Sequence, residues 1–561
     1  MRGSVNLASN VYDVSDKNAA FGASENDIAT WLDLYGNYGV LDVQTNLYVS
    51  SLEESNNQPI NRYTFGAKIP SFEMYFGDYS PMITPYVAAN KNIRGLYSKI
   101  QSKNLLIQWA QGEAVRKTTF EGDSSSGIES SGTFKREVMA GRFQMGNENG
   151  FSIALNASRH RDIRSSLDKT YWWKEDNPDT LEDESGYKVR AQDNAVVSLD
   201  MKMNIPDQNI VMGLEVAGSL LNTNTLPGPF STEDLDDYGV ELEIDPADFA
   251  ELFVINKNME PFMPSRANLA WNAFFRTFFW NNMFSAQYSE TGSAFNTLGA
   301  YTQLKDSKMI QITDQFSIGR YLYFSGGFSL IQDNLMEHKS ETNSYTNIFG
   351  QAILRIPRMP YLKTSYYSNV AKNKDNSEIV SNAYPFVPFT RESSNMSFGI
   401  GYNFIQIPKV PSQLDISYRT GNDSSKLSSI LDTDNESNGL NFTINSRFSM
   451  IPLQTQIGYS STNNTATIPT DKEMKSSNFL LRADYSLWQN KIKPYLSFRT
   501  TGLSGDQDTQ AYNYYTLGLE SYPLKNLTVS TDLGMKSYTN DNNSSMDYDT
   551  TTWRLLITQR F

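Results

Sequence analysis

The chain has 561 residues, a formal net charge of −14, no cysteine and 2 histidines. The missing thiols exclude a disulfide framework and thiolate zinc sites, and the acidic balance argues against nucleic acid, whose binding needs a basic patch. Mean hydropathy is −0.48, and no apolar run approaches the roughly 18 residues of a spanning helix, but membrane β-strands need only about 9–11 residues with alternate ones polar.

The first 38 residues differ from the rest of the chain. Residues 1–38 are polar and irregular, rich in Asn, Asp, Ser and Ala, and carry no clear periodicity. We predict that they form a segment separate from the pattern that follows, which divides the chain into residues 1–38 and one domain over residues 39–561.

A two-residue period begins at Val40. Apolar residues then alternate with Asp42, Gln44, Asn46, Tyr48 and Ser50. The same alternation returns at 62–69, 197–205, 414–419, 440–445, 478–487 and 527–536. It predicts β-strands with one apolar and one polar face. A soluble sandwich also alternates, because its outer face is solvated.

The connections distinguish an array of soluble domains from one closed barrel. Short turns occur at 102–104, 146–149, 206–208, 357–360, 408–411, 451–452, 489–490 and 525–526. Longer polar loops lie near 116–131, 161–190, 222–263, 373–390, 421–437, 461–475 and 538–547. Alternating short and long connections are typical of membrane barrels. They predict an all-β fold, a single large antiparallel transmembrane β-barrel of roughly 24 strands (about 22 to 26) with both termini periplasmic.

The last residues, TTWRLLITQRF, form an alternating strand that ends on an aromatic. One face carries Trp553, Leu555, Ile557, Gln559 and Phe561. This stretch resembles the closing strand of Gram-negative outer-membrane β-barrels, a class in which a terminal Phe belongs to the assembly signal. The resemblance implies the cell outer membrane, extracellular long loops, contact with membrane lipid and with the barrel-assembly machinery, and an assembly role for Trp553 and Phe561. It also implies that residues 1–38 are a periplasmic or lumen-inserted segment.

The polar faces supply candidate lumen-lining residues of mixed charge. They are Asp42, Asp200, Lys202, Arg482, Asp484, Lys493, Arg499, Asp532, Lys536, Arg554 and Arg560. A water-filled interior tolerates such groups unpaired, whereas a narrow one requires pairs because buried charge is costly.

The loop over 222–263 is strongly acidic. Its carboxylates include Asp234, Asp236, Asp237, Glu241, Glu243, Asp245 and Asp248. Asp245 followed by Pro246 predicts the N-cap and first residue of a short helix. The loop is interpreted as a constriction folded into the lumen, a divalent-cation site, a docking surface or simply a solvated acidic loop. Its spacing does not match an EF-hand, and inside the lumen it would favour cations.

A second long loop carries Tyr171, Trp172 and Trp173. Exposed aromatics of this kind stack on sugars or anchor a partner protein; the alternative is packing over the barrel mouth. His160 and His338 are candidate bases if a carboxylate holds them. No nucleophile-elbow, zinc-protease or phosphate-loop motif accompanies them, so we do not predict an enzyme.

Fold alone does not give function. We expect a porin-like channel or transporter that passes small polar solutes, without a cofactor or a metal site. The alternative is an accessory or scaffold barrel in a larger outer-membrane secretion, insertion or electron-conduit complex, with other outer-membrane or periplasmic proteins as partners. An open lumen favours the channel, and a lumen blocked by residues 1–38 or by the acidic loop favours the accessory barrel.

Overall fold

A computed structural model describes most of the chain. The described residues are 2–16, 25–119, 132–172, 189–237, 245–260, 265–300, 304–376, 387–404, 409–427, 432–467, 471–505 and 509–561. Over these residues, no helix combines the length and the apolar character needed to cross a membrane.

Within the described ranges the chain forms a single meander of 26 long antiparallel strands. They are β1 Arg2–Asp16, β2 Glu25–Tyr38, β3 Leu41–Ser50, β4 Arg62–Ile69, β5 Phe72–Tyr79, β6 Ile93–Gln101, β7 Leu105–Val115, β8 Arg136–Gly146, β9 Phe151–Asp162, β10 Asp193–Ile205, β11 Ile210–Asn222, β12 Leu269–Phe279, β13 Asn282–Thr291, β14 Ser307–Ile318, β15 Leu322–Asp333, β16 Glu341–Leu354, β17 Tyr361–Asp375, β18 Phe389–Phe404, β19 Ser412–Leu427, β20 Thr433–Arg447, β21 Leu453–Thr467, β22 Asp471–Tyr485, β23 Ile492–Gly505, β24 Thr509–Leu524, β25 Leu527–Asn540 and β26 Tyr548–Arg560. The predicted all-β antiparallel barrel is confirmed, and its strand count lies at the upper edge of the predicted range.

The first and last strands close the barrel. β1 pairs with β26 from Ser4 opposite Arg560 to Asp16 opposite Tyr548. The Gly3 amide donates to the Phe561 carbonyl over 2.8 Å, and the Phe561 amide donates back over 3.0 Å. Over the described residues, closure therefore leaves the barrel sheet itself without a free edge.

The separate segment predicted for residues 1–38 is wrong for the described residues, because β1 and β2 are part of the barrel wall. Their Asn, Asp, Ser and Ala residues have low strand propensity. Hydrogen bonding to β26 on one side and β3 on the other overrides that preference. The barrel domain therefore includes the first described residue.

The two ends of the barrel differ in their connections. We call the end that carries both termini the turn end and the opposite end the loop end. Turn-end connections are 39–40, 70–71, 102–104, 147–150, 206–209, 280–281, 319–321, 355–360, 405–411, 448–452, 486–491 and 525–526. The long loop-end connections are 51–61, 80–92, 116–135, 163–192, 223–268, 292–306 and 376–388. That the turn end is periplasmic stays a prediction.

Several loops expected later in the chain are instead strand. β18 and β19 have 16 residues each, and β20 to β22 have 15 each. They take up most of the loops predicted at 421–437 and 461–475. Because about 9–11 residues cross a membrane, these strands extend the wall beyond the bilayer at the loop end.

The wall is apolar outside and polar inside. Leu155, Leu496 and Leu517 are 55%, 56% and 60% exposed on the outer face, whereas Asn156 and Ser158 on the inner face of β9 are 1% and 6% exposed. Burying one such side chain is worth about 1.5–3 kcal/mol, so a continuous outer band of them requires lipid rather than water as its solvent. The closed sheet, the apolar band on its outer face and its polar interior together identify the chain as a transmembrane β-barrel of the outer-membrane class.

Candidate functional site: the lumen and its loop insert

Two loop-end connections fold into the barrel and cover part of its inner wall. They are residues 80–92, between β5 and β6, and residues 292–300, after β13; together we call them the lumenal insert. Tyr86 and Phe295, one from each connection, pack edge to face with ring centroids 5.5 Å apart and are each 2% exposed. Burial raises the pKa of the Tyr86 phenol. The insert is therefore packed against the wall and is not a solvated loop.

Polar side chains of the wall hold the backbone of the insert. The Ser158 hydroxyl donates to the Val87 carbonyl over 3.0 Å. The Asn194 amide group donates to the Asn296 carbonyl over 3.0 Å and accepts from the Leu298 amide over 2.9 Å. Each bond satisfies a buried backbone group that would otherwise cost free energy. The insert is thus fixed to β9 and β10.

Lys91 joins the two halves of the insert. Its Nζ donates to the Leu298 carbonyl over 2.9 Å, and the Ala89 amide donates to the Gly299 carbonyl over 3.0 Å. Burial, with a smaller contribution from the positive charge of Arg136, holds the pKa of Lys91 below its usual range. Neither half lies next to the other in sequence, so only the folded barrel brings them together.

His160 lies beneath the insert on the inner face of β9. It is 1% exposed, and among the described residues neither ring nitrogen has a hydrogen-bond partner. A Cβ added at Gly299 would lie 2.6 Å from Nε2 and 2.2 Å from the Val87 carbonyl oxygen. The expectation of a base held by a carboxylate at His160 is therefore wrong, while His338 is exposed in the loop after β15.

Asp200 belongs to a polar cluster on the wall near the insert. Arg142 donates to both of its carboxylate oxygens, over 2.6 and 3.0 Å, and Asn156 donates to the same carboxylate over 2.7 Å. The Arg142 side chain is 11% exposed. Removing one partner of such a buried pair costs about 3–5 kcal/mol. Asp200 therefore stabilises the wall.

The inner wall away from the insert combines cations with tyrosines. Arg482 pairs with Asp484 over 2.8 Å, and its guanidinium lies 4.7 Å from the ring centroid of Tyr495. Lys493 lies over the ring of Tyr522 at 5.0 Å. Such contacts are worth about 0.5–1 kcal/mol at exposed sites. They hold the charges against the wall.

The same arrangement continues on the last strands. Arg499 lies 6.0 Å from the ring of Tyr514, and Lys536 donates to the Tyr548 hydroxyl over 2.7 Å. The sequence analysis did not predict these tyrosines. Those of β24, Tyr514 and Tyr522, alternate in step with Glu520 and therefore lie on the face opposite to that of Leu517 and Leu519. This alternation was the signal that could have identified them.

The remaining predicted lumen residues also lie on the inner face. Asp532 is directly opposite Arg554 in the register of β25 and β26, and Asp42 accepts a hydrogen bond from Asn37 over 2.7 Å. Lys202 and Arg560 alternate with outward apolar residues of β10 and β26. Mixed charge along the wall thus takes the form of pairs, cation–tyrosine contacts and separate cations.

The acidic loop is described in part. Asp245 caps a 3₁₀ turn, Pro246–Phe249, by accepting from the Ala247 amide over 2.9 Å, so the predicted cap is confirmed although the helix is a single turn. Asp234 accepts from the Ser231 amide, the main cause of its lowered pKa. The backbone of Asp236 and Asp237 forms the end of the helix Thr232–Asp237. Asp248 lies in the 3₁₀ turn. Glu241 and Glu243 fall outside the described residues.

The described end of this loop lies on the outer side of the wall. Arg159 and Asp193, on the face of β9 and β10 that carries the apolar band, form an ion pair of 2.8 Å. Arg159 donates to the Glu251 carbonyl, and the Val254 amide donates to Asp193 over 3.4 Å. The interpretation of this loop as a lumen constriction is therefore wrong for these residues. In the described part of the chain, no group of three His, Asp or Glu side chains is placed to hold a metal ion.

The loop aromatics pack onto the loop-end rim. Tyr171 and Trp172 contact a buried cluster that includes Phe134, Leu167 and Leu226, and the Trp172 indole donates to the Leu167 carbonyl over 3.1 Å. Trp173 lies outside the described residues. This geometry favours packing over the barrel mouth.

At the closing strand, Trp553 and Phe561 are 40% and 47% exposed. The Trp553 indole donates to the Thr531 hydroxyl over 3.0 Å, which leaves the ring on the lipid side. Their role as an assembly signal stays a prediction.

Comparisons with known proteins find likeness in structure only. No protein-family model matches the sequence, and no curated protein matches it. Among solved structures, the translocation pore of the P pilus usher PapC has 10% identity and a TM-score of 0.27 over 100% of this chain and 99% of its own. OccK11 of Pseudomonas aeruginosa has 10% identity and a TM-score of 0.29 over 100% and 95%. Wzi of Escherichia coli, a carbohydrate-binding barrel involved in capsule assembly, has 10% identity and a TM-score of 0.30 over 66% and 82%. At these scores the likeness carries no information on function.

Proposed function

We propose that the chain is an outer-membrane channel for small polar solutes and that its lumen prefers anions. The size of the barrel supports a pore. Barrels of about 8 strands are filled by their own side chains, whereas those of about 16–18 already leave an aqueous channel. With 26 strands, an insert that packs on β5 to β12 leaves the wall of the later strands free to line a path.

The charge of one arc of that free wall, β17 to β26, carries the proposal of anion preference. On the inner face of β17 to β26, cations outnumber carboxylates. The cations are Lys363, Arg391, Arg419, Arg447, Lys472, Arg482, Lys493, Arg499, Lys536, Arg554 and Arg560, and the carboxylates are Asp375, Asp415, Asp423, Asp484, Glu520 and Asp532. A surplus of one sign inside low-dielectric walls concentrates the opposite ion. The surplus opposes the net charge of −14 of the whole chain.

Part of this surplus lies at the turn end of the wall. Arg447, Arg482 and Lys493 line one concave stretch of about 830 Å³ together with Asp484 and Glu520. Amide and hydroxyl groups fill the rest of that stretch. A small anion with hydroxyl groups matches this combination of cationic and neutral hydrogen-bonding side chains.

Single-channel recording in a planar bilayer tests the proposal. We expect stable conductance and, under a KCl gradient, a reversal potential of the sign given by chloride preference. The double variant Arg447→Gln with Lys493→Gln is expected to move the reversal potential toward zero. Lys372→Gln, which removes a lysine from the outer face of β17, is the matched control and leaves it unchanged.

Two outcomes contradict the proposal. Cation preference in the unaltered protein refutes the anion assignment. No conductance in a protein shown to be folded by heat-modifiable mobility refutes the channel and favours the accessory barrel.

A further inference from the structure

Three arginines meet at the turn-end mouth of the lumen. Arg320 lies in the turn between β14 and β15, and Arg355 and Arg358 lie in the connection between β16 and β17. The Arg355 amide donates to the Tyr321 carbonyl over 2.6 Å, which holds the two connections side by side. All three arginines are exposed and line one space of about 530 Å³, which we call the arginine pocket. Their guanidinium groups are therefore accessible to a ligand from solvent.

Among the described residues, no carboxylate lines the arginine pocket. The ion pairs formed along β15 to β22 join other residues. On the inner face of β14 to β19, Asp415 is the carboxylate nearest to the turn end. It lies 3.6 Å from Lys363 and accepts hydrogen bonds from Gln413 over 2.8 Å and from the Tyr361 hydroxyl. The positive charge of the pocket is thus left for an anion from outside the chain.

Arg358 occupies a backbone position that is unfavourable for arginine. The Met359 amide donates to the Ile356 carbonyl over 3.1 Å, which closes a turn with Pro357 second and Arg358 third. The φ angle of Arg358 is +64°. The third residue of a turn with positive φ is usually Gly or Asn, because a Cβ is disfavoured there. Residues held in such conformations cluster at binding and active sites, so the strain favours a ligand-binding role for this guanidinium.

Neutral hydrogen-bonding groups complete the pocket on its lumen side. Asn403 and Gln413 are directly opposite each other on the inner face of β18 and β19, and both line the arginine pocket. They also line the neighbouring concave stretch that contains Arg447 and Lys493. The two spaces therefore adjoin, and one solute can contact both.

The number of guanidinium groups identifies the kind of anion. A guanidinium donates two parallel N–H groups to the oxygens of a carboxylate or a phosphate. A carboxylate has one negative charge and two oxygens, which a single guanidinium satisfies. A phosphate monoester carries about −1.5 to −2 charges at pH 7 and three acceptor oxygens. Three guanidinium groups without a carboxylate match the phosphate, and the neighbouring amide side chains match hydroxyl groups.

We propose that Arg320, Arg355 and Arg358 bind the phosphate group of a small phosphorylated solute that also carries hydroxyl groups. Asn403 and Gln413 hydrogen-bond to those hydroxyl groups on the lumen side of the pocket. The proposal rests on the proposed channel function and names the class of its anionic solute. Binding in the pocket does not itself require conduction, so the two proposals can fail separately.

Phosphorus NMR of glucose 6-phosphate, added to the folded protein in octyl glucoside, tests the pocket. We expect saturable line broadening. Because hydrogen bonds to charged groups are worth about 1.5–3 kcal/mol, Arg358→Asn should weaken binding about tenfold or more. Asparagine suits the turn better than arginine does, so this loss is not a loss of folding, which heat-modifiable mobility checks. The triple variant Arg320→Gln, Arg355→Gln and Arg358→Gln should abolish saturable binding.

The matched control removes the same number of charges from turn-end connections outside the pocket. It is the triple variant Lys103→Gln, Lys491→Gln and Lys525→Gln, and it should leave the affinity unchanged. Equal weakening in the two triple variants overturns the proposal, because it shows diffuse attraction to the turn end. Unchanged binding in Arg358→Asn, or the absence of saturable binding in the folded unaltered protein, overturns it as well.

Two competing ligands test the chemistry of the solute. Gluconate, which has hydroxyl groups and a carboxylate but no phosphate, should compete weakly, and equal affinity for gluconate overturns the phosphate assignment. Short-chain phosphatidylglycerol should also compete weakly, and tighter binding of this lipid assigns the pocket to a headgroup and overturns the solute assignment. Binding of glucose 6-phosphate by a protein that does not conduct supports the pocket and refutes the channel, whereas chloride-preferring conductance without binding refutes the pocket alone.

Discussion

Gly299→Ala is expected to release the lumenal insert without unfolding the barrel. The added Cβ would lie 2.2 Å from the Val87 carbonyl oxygen and 2.6 Å from His160 Nε2. Contacts below 3 Å to backbone require a shift, and overpacking of this kind costs typically about 1–3 kcal/mol. At about 1.4 kcal/mol per tenfold, the population with the insert displaced should rise about 5- to 150-fold.

The absence of cysteine from the sequence provides a direct assay for this displacement. A single Val87→Cys reporter replaces a side chain of 0% exposure, so its reaction with a maleimide measures how often the insert leaves the wall. Labelling should accelerate by the factor above in the Gly299→Ala background. Gly218→Ala is the matched control, because its Cβ would lie 3.6 Å from the nearest atom, a Leu269 methyl. Equal labelling rates in the two backgrounds would refute the reasoning.

Three further outcomes are expected. Leu481→Arg, on the lipid face, should destabilise the barrel by about 2–4 kcal/mol. Arg482→Leu should cost less, because it removes a half-exposed pair worth about 0–1 kcal/mol and a contact with the Tyr495 ring worth about 0.5–1 kcal/mol; equal urea midpoints in liposomes would contradict the face assignment. Deletion of Phe561 removes the two backbone bonds at the closing seam and should lower the amount of folded barrel in the membrane, measured by heat-modifiable mobility, while normal amounts would argue against a role in assembly. Glu53, in the loop 51–61, accepts a hydrogen bond from the Asn61 amide, which is the main reason that its pKa falls to about 2. A lowered carboxyl pKa stabilises the loop at pH values above the ordinary carboxyl pKa, and this contribution is lost as the pH falls toward 2. Hydrogen exchange of the loop should therefore rise over that pH window in the unaltered protein but not in Glu53→Gln.

The strand content and the faces of the wall could be predicted from the sequence. Alternation is a local property with a period of two, so residues such as Leu481 and Arg482 declare their faces without knowledge of their neighbours. The same logic failed for β1 and β2, whose Asn, Ser and Ala residues carry little apolar signal. Their strand state depends on pairing with β26, whose residues are the most distant in the chain.

The candidate site was predicted less completely. The lumen-facing charges followed from alternation, but the insert did not, because neither of its halves has a periodic pattern. Its contacts join residues far apart, as in the bond between Lys91 and Leu298, 207 positions away. The acidic loop gave the opposite error: its composition suggested a lumen constriction, yet Arg159 and Asp193 hold its described end on the outer side of the wall.

The sequence by itself determined a lipid-facing and a water-facing side for most strands, since side-chain direction in a strand depends only on parity. Only the tertiary structure decided how the barrel closes, which loops enter the lumen and which stay outside. It also decided that Arg320, Arg355 and Arg358, which belong to two separate connections in the sequence, line one pocket. These outcomes depend on register between strands, and register is set by non-local pairing and packing rather than by the pattern within any one strand.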